Sequence, residues 1–183
     1  NPVNDSNDQS YYIMLDGGML LTREEGWKEM KLCRIFCAKE VVQVSKDRKH
    51  ILQSNYVGHL GTHKEFLAKV EPHSDNILHK IIVADGAPWI WNWADDLYPD
   101  SIQILDFYHA KEHLCRFAEL YFKDDQQRKE WVNQQSLRLL NDQLNQVIDD
   151  LMMIKPNSSK ARKAKIALIK YYEHNSKRMK YRT

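Results

Sequence analysis

Two regimes of apolar and polar positions divide this chain. Up to about residue 114, apolar residues come in short dense runs broken by turn chemistry; beyond it they recur at helical spacing. Tyr11-Tyr12-Ile13-Met14-Leu15 is one such run, and Asp16-Gly17-Gly18 after it predicts a buried strand ending in a turn. Residues 27–44 are strand-rich, with Val41, Val42 and Val44 the best strand formers, and residues 51–57 predict a third strand. Thr62 with Glu65 three positions on predicts a capped helix reaching about Val70. Lys80-Ile81-Ile82-Val83-Ala84 is a nearly continuous apolar strand, the pattern of burial on both faces. It runs into Asp85-Gly86-Ala87-Pro88, where Pro88 suits the first turn of a helix through Trp93. Tyr98-Pro99-Asp100 closes that helix, Ser101-Ile102-Gln103-Ile104-Leu105 predicts a fifth strand ending at Asp106, and a further helix starts at about Ala110.

Leu137, Leu140, Leu144, Val147, Ile148, Leu151 and Met152 then predict helix across residues 123–154. Pro156-Asn157-Ser158-Ser159 breaks it, and a second helix starts at about Lys160. The expected fold class is α/β: a mixed five-stranded sheet with flanking helices, followed by an all-helical segment. The core is expected over residues 1–114 and the helical segment over 115–183. Short connections make the first three strands an antiparallel meander, and intervening helices put the fourth and fifth parallel to the first. That arrangement brings the ends of strands one and four together. Asp16 is then expected near Asp85, with Asp106 and His109 at the same edge.

Composition narrows the class without naming a function. With 183 residues, 43% hydrophobic and 28% charged, the chain has the balance of one soluble globular domain. No run approaches the roughly 20 apolar residues of a membrane span, so no membrane partner is expected. Nor does a basic-then-apolar leader open the chain. The polar start, Asn1 to Ser10, lacks an initiator Met and reads as a cut within a longer protein. Three cysteines, Cys33, Cys37 and Cys115, fit a reducing cytoplasm better than a disulfide framework. Cys33 and Cys37 share a strand face and read as small buried residues, since no further zinc ligands lie nearby.

Net charge is +2, unevenly placed. Residues 160–183 hold nine of the 27 basic residues and one acid, Glu173, against 18 basic and 24 acidic residues before them. A basic helix carrying Lys160, Arg162, Lys163 and Lys165 can neutralise DNA phosphates; the alternative is a solvated helix face.

Three predicted strands end in aspartate, at Asp16, Asp85 and Asp106. Sites of open α/β sheets gather at strand carboxyl ends. Carboxylates are hard oxygen ligands suited to Mg²⁺ or Mn²⁺, and paired metals drive phosphodiester cleavage and strand transfer. One Asp-Gly is only a turn; two of them, with a third strand-end aspartate, point to a site. His109-Ala110-Lys111-Glu112-His113 also matches the H-x-x-E-H pattern, in which His109 and His113 hold zinc and Glu112 is the general base. That reading identifies no third ligand and leaves Asp16 and Asp85 unused. Trp89, Trp91 and Trp93 read mainly as core, with one able to stack on a base.

Taken in order, Asp16-Gly17-Gly18, the strand-rich Trp27-Lys28-Glu29-Met30-Lys31-Leu32, Val83-Ala84-Asp85-Gly86-Ala87-Pro88-Trp89-Ile90 and Leu105-Asp106-Phe107-Tyr108-His109-Ala110 resemble bacterial insertion-sequence transposases of the Mutator-like, ISKra-type kind. The matching blocks cover residues 11–114. The resemblance implies a ribonuclease-H-like fold with a helical insertion, Mg²⁺ or Mn²⁺ as cofactor, DNA as partner and a bacterial cytoplasmic setting. The full-length protein would be a possible homo-oligomer. It implies catalytic roles for Asp16, Asp85 and Asp106, metal binding by Asp16 and Asp85, and a supporting role for His109. The family's catalytic Glu follows the insertion in a Gly-Ser-Gly-rich segment, and no glycine follows Gly86 here. The chain is therefore expected to be an inactive fragment that stops before that Glu. A nuclease of the same fold, and the zinc hydrolase, are the alternatives.

Overall fold

The computed structural model describes residues 9–46 and 48–182. The first part of the chain forms β1 (Ser10–Thr22), β2 (Gly26–Cys37), β3 (Val41–Ser45), β4 (Arg48–Ile51), β5 (Asn55–Leu60), α1 (His63–Ser74), β6 (His79–Ala84), α2 (Pro88–Leu97) and β7 (Ile102–Leu105). The rest is helical: α3 (Phe107–Tyr121), α4 (Asp125–Leu140), α5 (Leu144–Met153) and α6 (Ser159–Asn175). Two units separate by their contacts, residues 1–103 and 104–183.

The fold is α/β. Its five-stranded mixed sheet has the order β5-β2-β1-β6-β7, and β3 and β4 form a separate two-stranded ribbon. β1 pairs antiparallel with β2 from Tyr11↔Cys37 to Thr22↔Gly26, and β2 pairs antiparallel with β5. β1 pairs parallel with β6 from Ser10↔His79 to Leu15↔Ala84. The antiparallel meander and the parallel fourth strand are those expected from the connection lengths. The third strand is displaced: Ile51 ends β4, and the meander resumes only at Asn55, opposite Ile35. Residues 38–51 leave the sheet as the β3–β4 excursion, which the run of valines did not reveal.

β1 departs from expectation at the position that matters most. It does not turn at Asp16-Gly17-Gly18 but continues to Thr22. β2 supplies the reason, since Leu32, Lys31 and Met30 pair with these three residues and extend the ladder past two poor strand formers. The actual turn spans residues 23–25. There Gly26 adopts φ +72°, and the Thr22 hydroxyl donates to the Gly26 carbonyl (2.9 Å) and accepts from Glu25 N–H (3.2 Å).

In the first unit, Ile13, Leu15, Cys33 and Ile82 bury one sheet face, and Phe66 and Val70 of α1 are buried with them. α1 begins as its sequence dictates: the Thr62 hydroxyl accepts from Glu65 N–H (3.3 Å) and the Glu65 carboxylate accepts from Thr62 N–H (3.2 Å). Cys33 and Cys37 are both buried, and desolvation pushes the Cys33 thiol up to about 12. Trp91 and Trp93 are core, whereas Trp89 is half-buried and stacks on His63 at 5.5 Å.

The second unit packs around Leu114, Phe117, Leu139, Val147 and Leu151. Tyr172 is fully buried and donates its hydroxyl proton to the Ala110 carbonyl (2.9 Å), joining α6 to α3. The helix expected over residues 123–154 is two helices. Asn141 closes α4 and Asp142 takes φ +57°, a left-handed conformation that Asp tolerates and that ends a helix. No helix among the described residues is long and apolar enough to cross a membrane.

Candidate functional site

Asp16 and Asp85 occupy equivalent places on neighbouring strands. The parallel ladder of β1 and β6 ends at Leu15↔Ala84, and the next residue on each strand is the aspartate. Ile13 and Leu15, paired with Ile82 and Ala84, face the core. Alternation therefore turns Asp16 to the opposite face of β1, while Asp85 lies one residue past the end of β6. Neighbouring strands lie about 4.8 Å apart, a spacing that two carboxylates sharing metal ions can bridge.

Local chemistry fixes each carboxylate differently. Asp16 is exposed in mid-strand, and its Oδ1 accepts from Gly17 N–H at 2.8 Å. Asp85 has left its strand, and its Oδ1 accepts from Ala87 N–H at 2.9 Å. That bond bends the chain through Gly86 into Pro88, the first residue of α2. The Asp-Gly at 85–86 is thus a turn, whereas the Asp-Gly at 16–17 is not. Carboxylates suit a hard divalent cation. Among the described residues, no three or more His, Cys, Asp or Glu side chains gather around a common point.

Gly17 has a packing role. A Cβ there would lie 3.0 Å from Glu29 Oε1. Glu29 Oε2 accepts from the ammonium of Lys31 (2.7 Å), which also donates to the Gly61 carbonyl (2.8 Å). Lys31 is only 4% exposed, a buried cation satisfied by that pair. Sequence reasoning missed it, although its place in register with Cys33 and Ile35 marked it as facing inward.

In the second unit, Asp106 is the N-cap of α3: its Oδ1 accepts from Tyr108 N–H (2.7 Å) and His109 N–H (3.1 Å). That bond pair starts the helix at Phe107, three residues earlier than expected. His109 Nδ1 lies 3.8 Å from Glu112 Oε2, while the other oxygen of Glu112 accepts from Arg116 at 2.6 Å. His113 stacks on Tyr171 of α6 with ring centroids 4.0 Å apart. Burial, then Arg116, holds its pKa below the ordinary value. The H-x-x-E-H residues thus each have a packing or pairing partner, and no third metal ligand joins them among the described residues.

Lys160, Arg162 and Lys163 are exposed on the first turns of α6. Lys165 is half-buried, and its ammonium donates to the carbonyls of Ile154 (2.9 Å) and Met152 (3.5 Å). It therefore ties down the C-terminus of α5, where a cation also meets the negative end of the helix dipole.

An apolar groove borders Asp16. Gly17, Gly18, Leu20, Met30 and Leu32 line it with Asp16 itself, around about 220 Å³. No sequence pattern announced it, because it depends on β1 continuing beyond Asp16. Compared with protein-family models and with curated proteins, the chain matches neither a family nor an individual protein.

Proposed function

We propose that this chain supplies part of the catalytic domain of a DDE-type DNA transposase, built on a ribonuclease-H-like fold. One observation carries the reading: Asp16 and Asp85 each directly follow the last rung of the parallel pair of β1 and β6. The sheet order β5-β2-β1-β6-β7, with its meander beside a parallel strand, is the layout that such a fold requires.

In this reading Asp16 and Asp85 would hold Mg²⁺ or Mn²⁺, and the ion would supply Lewis acidity for phosphodiester chemistry. The hydrogen bonds from Gly17 and Ala87 fix one oxygen of each carboxylate and so set their orientation. Asp106 starts α3 and thereby positions His109. Lys160, Arg162 and Lys163 track the DNA backbone through their charge.

Manganese titration followed by electron paramagnetic resonance tests the reading. The chain should bind Mn²⁺, and Asp16→Asn or Asp85→Asn should each weaken binding at least about tenfold, the loss of one charged ligand. Manganese affinity unchanged by both substitutions would overturn it. DNA binding that persists without any Mn²⁺ site would leave a DNA-binding domain with no catalytic role.

A further inference from the structure

We infer that the groove beside Asp16 is a subsite for the deoxyribose of a DNA strand and discriminates against ribose. The inference rests on the metal-site reading for what lies at one end of the groove. What lies along it comes from the sheet itself.

The residues facing this groove follow from strand register. Asp16 pairs with Leu32, Gly18 with Met30 and Leu20 with Lys28, and directly opposed residues of an antiparallel pair share a face. From one end to the other the surface is therefore a carboxylate, an apolar stretch and an ammonium. Asp16 and Leu20 are four residues apart, about 13 Å along the strand. A DNA strand can follow this order across successive nucleotides: a phosphate near Asp16, apolar sugar faces, and a later phosphate for Lys28. Lys28 pairs with Glu25, both partly exposed, and such a surface pair exchanges readily for a phosphate.

The floor admits a ring. An added Cβ at Gly18 meets nothing within 4 Å, so open space lies over that backbone. Leu20 and Leu32 are 47% and 40% exposed, an unusual display of leucine beside a charged site. Gly18, Leu20 and Leu32 present no side-chain donor or acceptor, and Met30 offers only a weakly accepting thioether. A 2′-hydroxyl placed among them loses its water without gaining a partner, a cost that disfavours ribose.

Fluorescence anisotropy of labelled single-stranded 12-mers, DNA and RNA of one sequence, measured with Mn²⁺ on the full chain, tests this. DNA should bind about tenfold more tightly than RNA, the penalty for one unpaired hydroxyl. Gly18→Leu, which fills the open space without backbone strain, should remove that preference and weaken DNA binding. Met19→Asn, on the opposite face of the same strand, should change neither. Equal affinity for DNA and RNA, a preference that survives Gly18→Leu, or no binding of either strand overturns the inference. Manganese titration of the same samples separates the two readings. Normal Mn²⁺ binding with no DNA preference sinks the groove alone. A Gly18-dependent DNA preference without Mn²⁺ binding sinks the metal site alone.

Discussion

Leu15 and Ala84 form the last rung of the parallel ladder between β1 and β6, and an aspartate follows each of them. The two carboxylates are thus placed by strand register, while their side chains are oriented by separate local bonds. Register and orientation can be altered independently.

Asp85→Asn keeps an oxygen to accept from Ala87 N–H, whereas Asp85→Ala does not. Both should lose manganese. Only the alanine variant should also lose stability, by about 1 kcal/mol, the usual net value of one such hydrogen bond. Urea denaturation of the two variants beside the parent chain checks the difference.

Asp106 caps α3 with two backbone bonds. Asp106→Ala should cost about 1–2 kcal/mol, and Asp106→Ser should recover most of it. Urea midpoints give the comparison, and equal midpoints for all three chains would deny the cap its role.

His113 links stability to pH. Its folded pKa is held below the ordinary 6.5 by burial, then by Arg116 and His109, against the opposing pull of Glu112. Tyr171 of α6 lies against its ring. The unfolded chain therefore takes up the proton first, and stability falls as pH drops through about 6.5 towards the folded value. His113→Phe preserves the ring stack and removes the proton site. Its thermal midpoint should change less between pH 7.5 and pH 5 than that of the parent chain.

The basic residues of α6 divide by exposure. Lys160→Ala, Arg162→Ala and Lys163→Ala should each reduce the salt dependence of DNA binding, by about 0.7–0.9 in log–log slope per phosphate contact. Lys165→Ala should act on stability instead, because its ammonium is committed to the carbonyls of Ile154 and Met152. Anisotropy at several salt concentrations, with melting curves, separates the two behaviours.

Much of this architecture was legible in single residues. The apolar runs at 11–15 and 80–84, the Thr62–Glu65 capping box and Pro88 at a helix start each encode an element through local chemistry. What was hidden depends on long-range pairing. Asp16-Gly17-Gly18 has every local mark of a turn, and only β2, more than ten residues on, keeps it extended. Residues 38–51 show strand propensity but not which strand they join. Asn141-Asp142 carried a stop signal that the apolar spacing around it outweighed. Asp85 and Asp106 could be named from sequence as residues that follow a strand, whereas Asp16 lies within one, since β1 continues to Thr22. The groove could not be named, since half of it belongs to the part of β1 expected to be a turn.

Beyond Leu15, no strand among the described residues pairs with β1 on the β6 side, and β1 runs on to Thr22. An open edge of this kind recruits other chains into intermolecular sheets, and this one lacks the lysine or proline that commonly blocks such growth. Its protection is compositional. Glycines are poor strand formers, so Gly17 and Gly18 make this edge a weak template for addition. Gly18→Val, which meets no neighbour, would strengthen the strand and should promote aggregation, read by light scattering.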